Sequence, residues 1–178
     1  MAHEEAALLA ESVEGMASRG VVVRRVSAGA TPTAVASAIL PVNEERPGTY
    51  VFYDRQQVGL GSADWSEVSL AVVATVVSTA VPGQVVIDAG SKALATDQQP
   101  WLEGFGLVPE LGDARVVRIS ECHGVVALGD HPKPAIGTLV RVVPNHACPT
   151  VNLFDHYEVV RDGNVVDRWP VSARGHLA

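Results

Sequence analysis

Residues 138–153 read TLVRVVPNHACPTVNL, an apolar β-branched run that leads into a histidine and a cysteine two positions apart. In an extended strand, residues i and i+2 point to the same side, so His146 and Cys148 are predicted to share one site at the strand end. An imidazole and a thiolate together suit zinc among the common metals. Two protein ligands would leave coordination positions for water or substrate, as in catalytic sites. The alternative is a buried cysteine beside a hydrogen-bonded histidine.

Outward from this run, short β-rich segments dominate the chain from residue 63 onward. They lie at residues 71–81, 84–87, 114–119, 124–128, 138–143, 157–161 and 165–169. Pro82-Gly83 separates the first two segments and the Asp-Gly-Asn sequence at 162–164 separates the last two, as hairpin turns do. Many short strands with turn signals between them are typical of sandwiches and barrels. The pattern predicts an all-β domain over residues 63–178.

Residues 1–62 have a different pattern. Apolar residues at helical spacing predict a helix over residues 4–18, and a β-branched run predicts a strand over 21–26. Thr31-Pro32 fits the start of a second helix, and residues 49–53 are typical of a second strand. Helix and strand in alternation predict β/α units and a parallel sheet. Two such units cannot close a barrel, so this α/β segment is predicted to be a remnant or docking piece of something larger.

Composition limits the classes of function. The 178 residues are 47% hydrophobic, enough to bury a core, and the net charge of −7 argues against a nucleic-acid partner. The longest apolar run, residues 68–81, falls short of the ~20 residues that span a bilayer, so no membrane partner is expected. Cys122 and Cys148 do not make a disulfide framework, and the acidic N-terminus does not resemble a signal peptide. A reduced, cytoplasmic location is therefore predicted.

Two strand-to-helix junctions are candidate anion sites. In the first, SAGATPT at 27–33, Gly29 permits close backbone approach, Ser27 and Thr31 offer hydroxyls, and a helix N-terminus favours phosphate. The alternative is an ordinary capped turn. The second junction would add the backbone N–H groups of Gly48-Thr49 and the phenol or ring face of Tyr50, whose alternative is a strand aromatic in the core.

One further segment carries chemically active side chains. The sequence SECHG at 120–124 places a carboxylate, a thiol and an imidazole in a row at a strand boundary. Successive strand residues point in opposite directions, so these side chains cannot all serve one site, although any one of them is a candidate acid or base. The alternative is a set of polar edge residues before a turn.

Five segments, in their order along the chain, resemble those of a known enzyme family. They read SAGATPT at 27–33, RPGTYVFYD at 46–54, DAGSKA at 88–93, SECHG at 120–124 and PNHACPT at 144–150. This arrangement resembles the D-threonine aldolases and eukaryotic-type D-serine dehydratases, relatives of the alanine racemases. The resemblance implies a pyridoxal-phosphate (β/α) barrel followed by a metal-carrying β domain. It also implies that residues 1–62 hold the last β/α units of that barrel and residues 63–178 the metal-binding domain.

The same resemblance implies roles for individual residues. His146 and Cys148 would bind zinc or another divalent metal, which would coordinate the substrate β-hydroxyl. The phosphate of the cofactor would be held by both junctions, that is by Ser27, Gly29, Thr31, Gly48, Thr49 and Tyr50. Cys122 stands where the family more often has a glutamate, so a carboxylate pair is not expected there.

One departure from the family decides how the chain is interpreted. The Schiff-base lysine of the family lies on the first barrel strand, and the two lysines here, Lys92 and Lys133, match no such position. The chain is therefore expected to be the C-terminal portion of a lyase that acts on D-3-hydroxy amino acids. Its expected partners are the D-amino acid substrate and either a second copy in a homodimer or a complementing N-terminal barrel polypeptide. The alternative is a non-catalytic metal- or partner-binding β module.

Overall fold

The computed structural model describes residues 2–112 and 114–176. Its N-terminal part consists of two helices and a pair of short strands. These elements are α1 (Ala2–Ala17), β1 (Ser27–Ala28), α2 (Ala34–Ser37) and β2 (Glu44–Glu45). β1 and β2 pair in parallel, and a small core of Val26, Ala28 and Val42 packs against Leu9 and Val13 of α1. The predicted amphipathic first helix is thereby confirmed.

Several predictions for this part are wrong in detail. Residues 21–26 do not form a strand, because the parallel pairing of β1 with β2 begins only at Ser27 and covers two residues of each strand. Val22 is accordingly 81% exposed. The second helix begins at Ala34 rather than at Thr31, since the Thr33 hydroxyl first closes a turn by accepting the Ala30 N–H at 3.0 Å. The parallel pairing is confirmed, but membership of this segment in a larger barrel remains a prediction.

The second predicted strand, at residues 49–53, is also wrong. This segment is a 3-10 turn over Thr49–Val51, because the Thr49 carbonyl accepts the N–H groups of Phe52 and Tyr53. These local bonds satisfy backbone groups that a strand would pair with a neighbour. The short helix α3 (Arg55–Gly59) follows directly.

Residues 72–144 form a closed six-stranded antiparallel barrel. Its strands are β3 (Val72–Ser78), β4 (Gln84–Ile87), β5 (Gly106–Val108), β6 (Ala114–Ile119), β7 (Gly124–Ala127) and β8 (Leu139–Pro144), in the spatial order β3-β4-β7-β6-β5-β8. Alternate side chains of these strands point inward, and fully buried residues such as Val76, Ile87, Val116, Val126 and Val142 fill the interior. Five of the six strands match the predicted segments. β5, which has three residues, was not predicted.

The remaining elements lie around the barrel. Helix α4 (Ser91–Leu94) follows β4, helix α5 (Ala147–Val151) follows β8, and strands β9 (His156–Arg161) and β10 (Asn164–Pro170) form an exposed antiparallel hairpin. The hairpin turns predicted at Pro82-Gly83 and at residues 162–164 are both confirmed. Among the described residues, no helix is long and apolar enough to cross a membrane. The predicted domain boundary at residue 62 remains a prediction.

Candidate functional site

The segment that carries His146 and Cys148 turns sharply at the end of the barrel. β8 ends at Pro144, His146 is the N-cap of α5, and Cys148 lies in the first turn of that helix. The two side chains therefore do not share one face of a strand, and that part of the prediction is wrong. The physical reason is Asp54, whose carboxylate accepts the Ala147 N–H at 2.8 Å and so favours a helix start at this point.

The His146 ring is hydrogen-bonded through one of its two nitrogens. Its Nδ1 lies 2.7 Å from Oδ2 of Asp97, and the His146 side chain is 30% exposed. An ionised carboxylate only accepts hydrogen bonds, so in the neutral form of the ring Nδ1 carries the proton and Nε2 presents a lone pair. A carboxylate behind the first ring nitrogen is the usual arrangement for a metal-ligating histidine.

Cys148 is an exposed free thiol. The alternative of a buried cysteine is therefore wrong, whereas the hydrogen-bonded histidine of that alternative is correct. The Cys148 Sγ lies 3.8 Å from the hydroxyl oxygen of Thr49. This contact brings a predicted metal ligand next to a predicted cofactor-binding residue, although the two stand 99 positions apart in the sequence.

A buried network of hydrogen bonds holds Asn145, the residue directly before His146. Asn145 is 2% exposed, and its side-chain NH₂ donates to the carbonyl oxygens of Asp97 and Gly104, both at 2.8 Å. The Arg55 guanidinium donates to Oδ1 of Asn145 at 2.6 Å and to the carbonyl of Glu103 at 3.2 Å. Burial lowers the pKa of the Arg55 guanidinium, and repulsion by a neighbouring arginine adds to the effect.

Asp54 links α3 to α5. Its side chain has no solvent exposure, and Oδ1 accepts the Gln57 N–H at 2.9 Å as the N-cap of α3 while Oδ2 accepts the Ala147 N–H. The Gln56 N–H in turn donates to the Asn145 carbonyl at 3.1 Å. α3 therefore fixes the backbone on both sides of His146.

The structure brings the two predicted cofactor junctions together. The Thr31 hydroxyl accepts the Tyr50 N–H at 3.1 Å, and the Cβ direction of Gly48 faces open space. Tyr50 is 53% exposed, so the alternative of a core aromatic is wrong. Gly48 is exposed, so the joined loops lie open to solvent at this turn.

Two of the predicted phosphate-binding residues already have protein partners. The Ser27 hydroxyl accepts a hydrogen bond from Nε of Arg46 at 2.7 Å. Gly29 has φ +81°, and a Cβ there would collide with the Glu45 carboxylate. The guanidinium of Arg46 favours an anion at this junction, whereas the Glu45 carboxylate disfavours one directly beside Gly29.

The donor set fits an open divalent site rather than a closed structural one. Within residues 2–112 and 114–176, no group of three or more His, Cys, Asp or Glu side chains is placed to hold a metal ion. The partly exposed imidazole of His146 and the exposed thiol of Cys148 nevertheless stand two positions apart at the start of α5. These are ligand types that zinc prefers, with other positions left open.

The remaining candidates lie in the segment 120–124 after β6 and at the two lysines. Glu121, Cys122 and His123 are exposed, in agreement with the alternative of polar edge residues. Nζ of Lys92 pairs with Glu121 at 2.6 Å, and Nζ of Lys133 donates to the Thr79 carbonyl at 3.0 Å. Both lysines are thus engaged at the barrel surface.

Sequence reasoning missed the supporting residues of the site. The signal for Asp54 was present, since an aspartate directly before Arg-Gln-Gln is an N-cap pattern. Asp97 and Arg55 lie 49 and 90 positions from His146 and Asn145, the residues that they bind, and carry no local motif. Only the fold brings them to the site.

Comparison with known proteins identifies the family. The family model described as putative serine dehydratase domain matches residues 69–160, which is about half of the chain. The chain belongs to this family. A D-serine dehydratase of Dictyostelium discoideum is 32% identical over 187 residues, covering 93% of this chain and 47% of that enzyme. A D-threonine aldolase of Arthrobacter sp is 34% identical over 179 residues, covering 97% of this chain and 45% of that enzyme.

Solved structures of family members share the fold. A D-threo-3-hydroxyaspartate dehydratase from Delftia sp. HT23 superposes with a TM-score of 0.82 at 32% identity, over 95% of this chain and 49% of that one. Two variants of a D-threo-3-hydroxyaspartate dehydratase also share the fold. One has a histidine replaced by alanine, and the other, in a metal-free form, has a cysteine two positions later replaced by alanine. This chain spans about half the length of these dehydratase family enzymes.

A second group of relatives is shorter. An uncharacterized protein of Mycobacterium tuberculosis is 44% identical over 127 residues, and the match covers 68% of this chain and 96% of that protein. The dehydratase family therefore includes members shorter than this chain as well as enzymes about twice as long.

Proposed function

We propose that this chain is the C-terminal, metal-binding portion of a pyridoxal-phosphate-dependent lyase that acts on D-3-hydroxy amino acids. The observation that carries the proposal is the paired donor set at the barrel end. His146 has its Nδ1 on Asp97 and its Nε2 free, and the Cys148 thiol is exposed two positions later. The solved variants of a D-threo-3-hydroxyaspartate dehydratase, in which a histidine and a cysteine at the same spacing were replaced, support a metal at such a pair.

In this proposal the metal residues act on the substrate hydroxyl. His146 and Cys148 hold a divalent ion, for which zinc is the preferred candidate because of the imidazole and thiolate ligands. When bound, the ion supplies Lewis acidity that makes a β-hydroxyl a better leaving group or a more acidic alcohol. The exposed thiol needs a reducing compartment to remain a ligand, which is consistent with a cytoplasmic location.

The joined loops are the proposed cofactor contact. Thr31, Gly48, Thr49 and Tyr50 meet at the solvent-exposed loop junction, and Arg46 adds positive charge. Pyridoxal phosphate, when bound, supplies an electron sink for bond cleavage at the substrate α- and β-carbons. Ser27 and Gly29 belong to the same proposed site. The Ser27 hydroxyl is linked to it by the hydrogen bond that it accepts from Arg46. The 3.8 Å contact between Thr49 and Cys148 supports a cofactor contact close to the proposed metal residues.

The proposed partner is a polypeptide that supplies the rest of the barrel. Family enzymes are about twice as long as this chain, and β1 and β2 form only a two-stranded parallel pair. Parallel strands are normally covered on both faces by neighbouring elements. A homodimer is the second proposed assembly, and in either case the small-molecule partner is a D-3-hydroxy amino acid.

A second candidate function is a non-catalytic metal- or partner-binding module. The observation that favours it is the short mycobacterial relative, of which the match covers 96%. Such a module would bind the metal through the same two residues but would need no cofactor.

Mixing the chain with an N-terminal barrel polypeptide from a family enzyme tests the lyase proposal. The mixture should release keto acid from D-serine, or aldehyde from D-threonine, and a chelator should abolish the release. His146→Ala and Cys148→Ala should abolish it as well, whereas Cys122→Ala, at an exposed cysteine outside the site, should not. A chain that binds the metal and forms the complex but releases no product from either substrate would contradict the lyase proposal and favour the module.

A further inference from the structure

Asp97 accepts hydrogen bonds from two adjacent residues, Asn145 and His146. The Asp97 carboxylate accepts the hydrogen bond from Nδ1 of His146 at 2.7 Å, and the Asp97 carbonyl accepts one from the Asn145 side chain at 2.8 Å. Adjacent residues of one segment therefore hold both the side chain and the backbone of Asp97. This leaves the carboxylate little freedom to move relative to the imidazole.

The anchor of this arrangement is buried. Asn145 is 2% exposed and receives a 2.6 Å hydrogen bond from the Arg55 guanidinium, which is itself 5% exposed. A charge-assisted bond between buried groups is stronger than one at the surface. Arg55 thus fixes Asn145, Asn145 fixes the Asp97 backbone, and Asp97 fixes the imidazole.

We propose that Asp97 is the positioning residue of the candidate metal site. It fixes His146 in the tautomer with the proton on Nδ1 and directs the Nε2 lone pair toward the ion. The proposal rests on the proposed metal-binding function of His146, which it deepens. Carboxylate partners of ligating histidines typically change metal affinity roughly 10- to 100-fold, and we expect a loss in that range when Asp97 is removed.

The tautomer of His146 can be measured without any metal. Proton–nitrogen correlation spectra of the histidine side chains in the metal-free chain, with His146→Gln used for assignment, should show His146 protonated at Nδ1 and bare at Nε2. In Asp97→Ala the same ring should lose this preference, while Asp97→Asn, whose amide oxygen still accepts a bond, should largely keep it. A wild-type His146 with its proton on Nε2 would overturn the proposal.

The affinity for zinc is the second readout. Competition with a chromophoric chelator should rank the variants in the order wild type, Asp97→Asn, Asp97→Ala, with Asp130→Asn, at an exposed aspartate, equal to wild type. Wild-type affinity in both Asp97 variants, with zinc lost in His146→Ala, would overturn the positioning role alone. Wild-type affinity in His146→Ala would instead overturn the proposed metal site.

Urea unfolding of each variant separates a loss of affinity from a loss of fold. If Asp97→Ala does not fold, the zinc affinity of Asp97→Asn and the tautomer of wild-type His146 test the positioning role instead.

Discussion

At the scale of single residues, the site depends on a few buried polar groups that lie outside its motif. Asp54 has no solvent exposure and satisfies two backbone N–H groups, one in α3 and one between His146 and Cys148. A buried carboxylate in this position is costly unless both oxygens are bonded, and here both are. Asp54 therefore couples the stability of the fold to the shape of the candidate metal site.

Replacement of Asp54 tests this coupling. Asp54→Ala removes an N-cap and leaves the buried Ala147 N–H without a partner, so it should lower the free energy of unfolding by about 2–4 kcal/mol. The matched control is Asp64→Ala, at an exposed aspartate before the surface turn Trp65–Glu67, which should cost about 1 kcal/mol or less. Urea unfolding followed by circular dichroism gives both values. Equal costs for the two variants would show that the bond to Ala147 contributes little.

The sequence pointed to the two candidate ligands but not to the residues behind them. His146 and Cys148 stand in one decapeptide whose resemblance to the family suggests them, and their binding of a metal remains a prediction. Asp97 comes from the loop before β5, and no local pattern connects a lone aspartate with a histidine 49 positions away. Contacts of this kind follow from the closure of the barrel, which the sequence does not specify residue by residue.

At the scale of elements, the success of prediction depended on whether a strand is rich in β-branched residues. β4 and β6 were predicted with their observed bounds because valine and isoleucine make up half or more of each strand. β5 was missed, since it has three residues, all buried, and begins with a glycine. Residues 21–26 and 49–53 have β propensity but lack a partner strand, so local turns and extended chain replaced the predicted strands.

The loop that leads into β5 gives a prediction at this scale. Gly104 has φ +75°, and a Cβ there would lie 2.5 Å from the carbonyl oxygen of Val116 in β6. Gly104→Ala should therefore destabilise the chain by about 2–4 kcal/mol through a left-handed backbone conformation together with a backbone clash. Gly129→Ala, with φ +56° and open space around its Cβ, should cost about 1 kcal/mol. Thermal or urea unfolding of the pair isolates the clash, and a Gly104 variant as stable as the Gly129 variant would refute it.

At the scale of the whole molecule, the chain combines a well-packed barrel with a thinly covered N-terminal part. The barrel core is continuous, whereas the N-terminal core contains three buried residues and leaves Val35 and Leu40 96% and 88% exposed. A parallel strand pair with apolar residues at its margins is typical of a segment that packs against further chain. The predicted homodimer or complementing barrel would provide such cover, and which of them forms remains a prediction.

The lysines give a prediction for the chain studied alone. Lys92 is held by Glu121 and Lys133 by the Thr79 carbonyl, so neither is expected to react specifically with pyridoxal phosphate. After borohydride reduction and peptide mapping by mass spectrometry, adducts should be sparse and spread over surface amines. A stoichiometric adduct on Lys92 that disappears in Lys92→Arg would contradict the view that the reactive lysine comes from another polypeptide segment.

Metal content tests the central claim most directly. The purified chain, stripped with a chelator and equilibrated with zinc, should retain about one ion per chain by elemental analysis, since one imidazole and one thiolate define one site. His146→Ala and Cys148→Ala should each lose the ion, whereas Cys122→Ala and His131→Ala, at surface positions, should keep it. Retention of the same zinc content by the His146→Ala, Cys148→Ala double variant would contradict the claim.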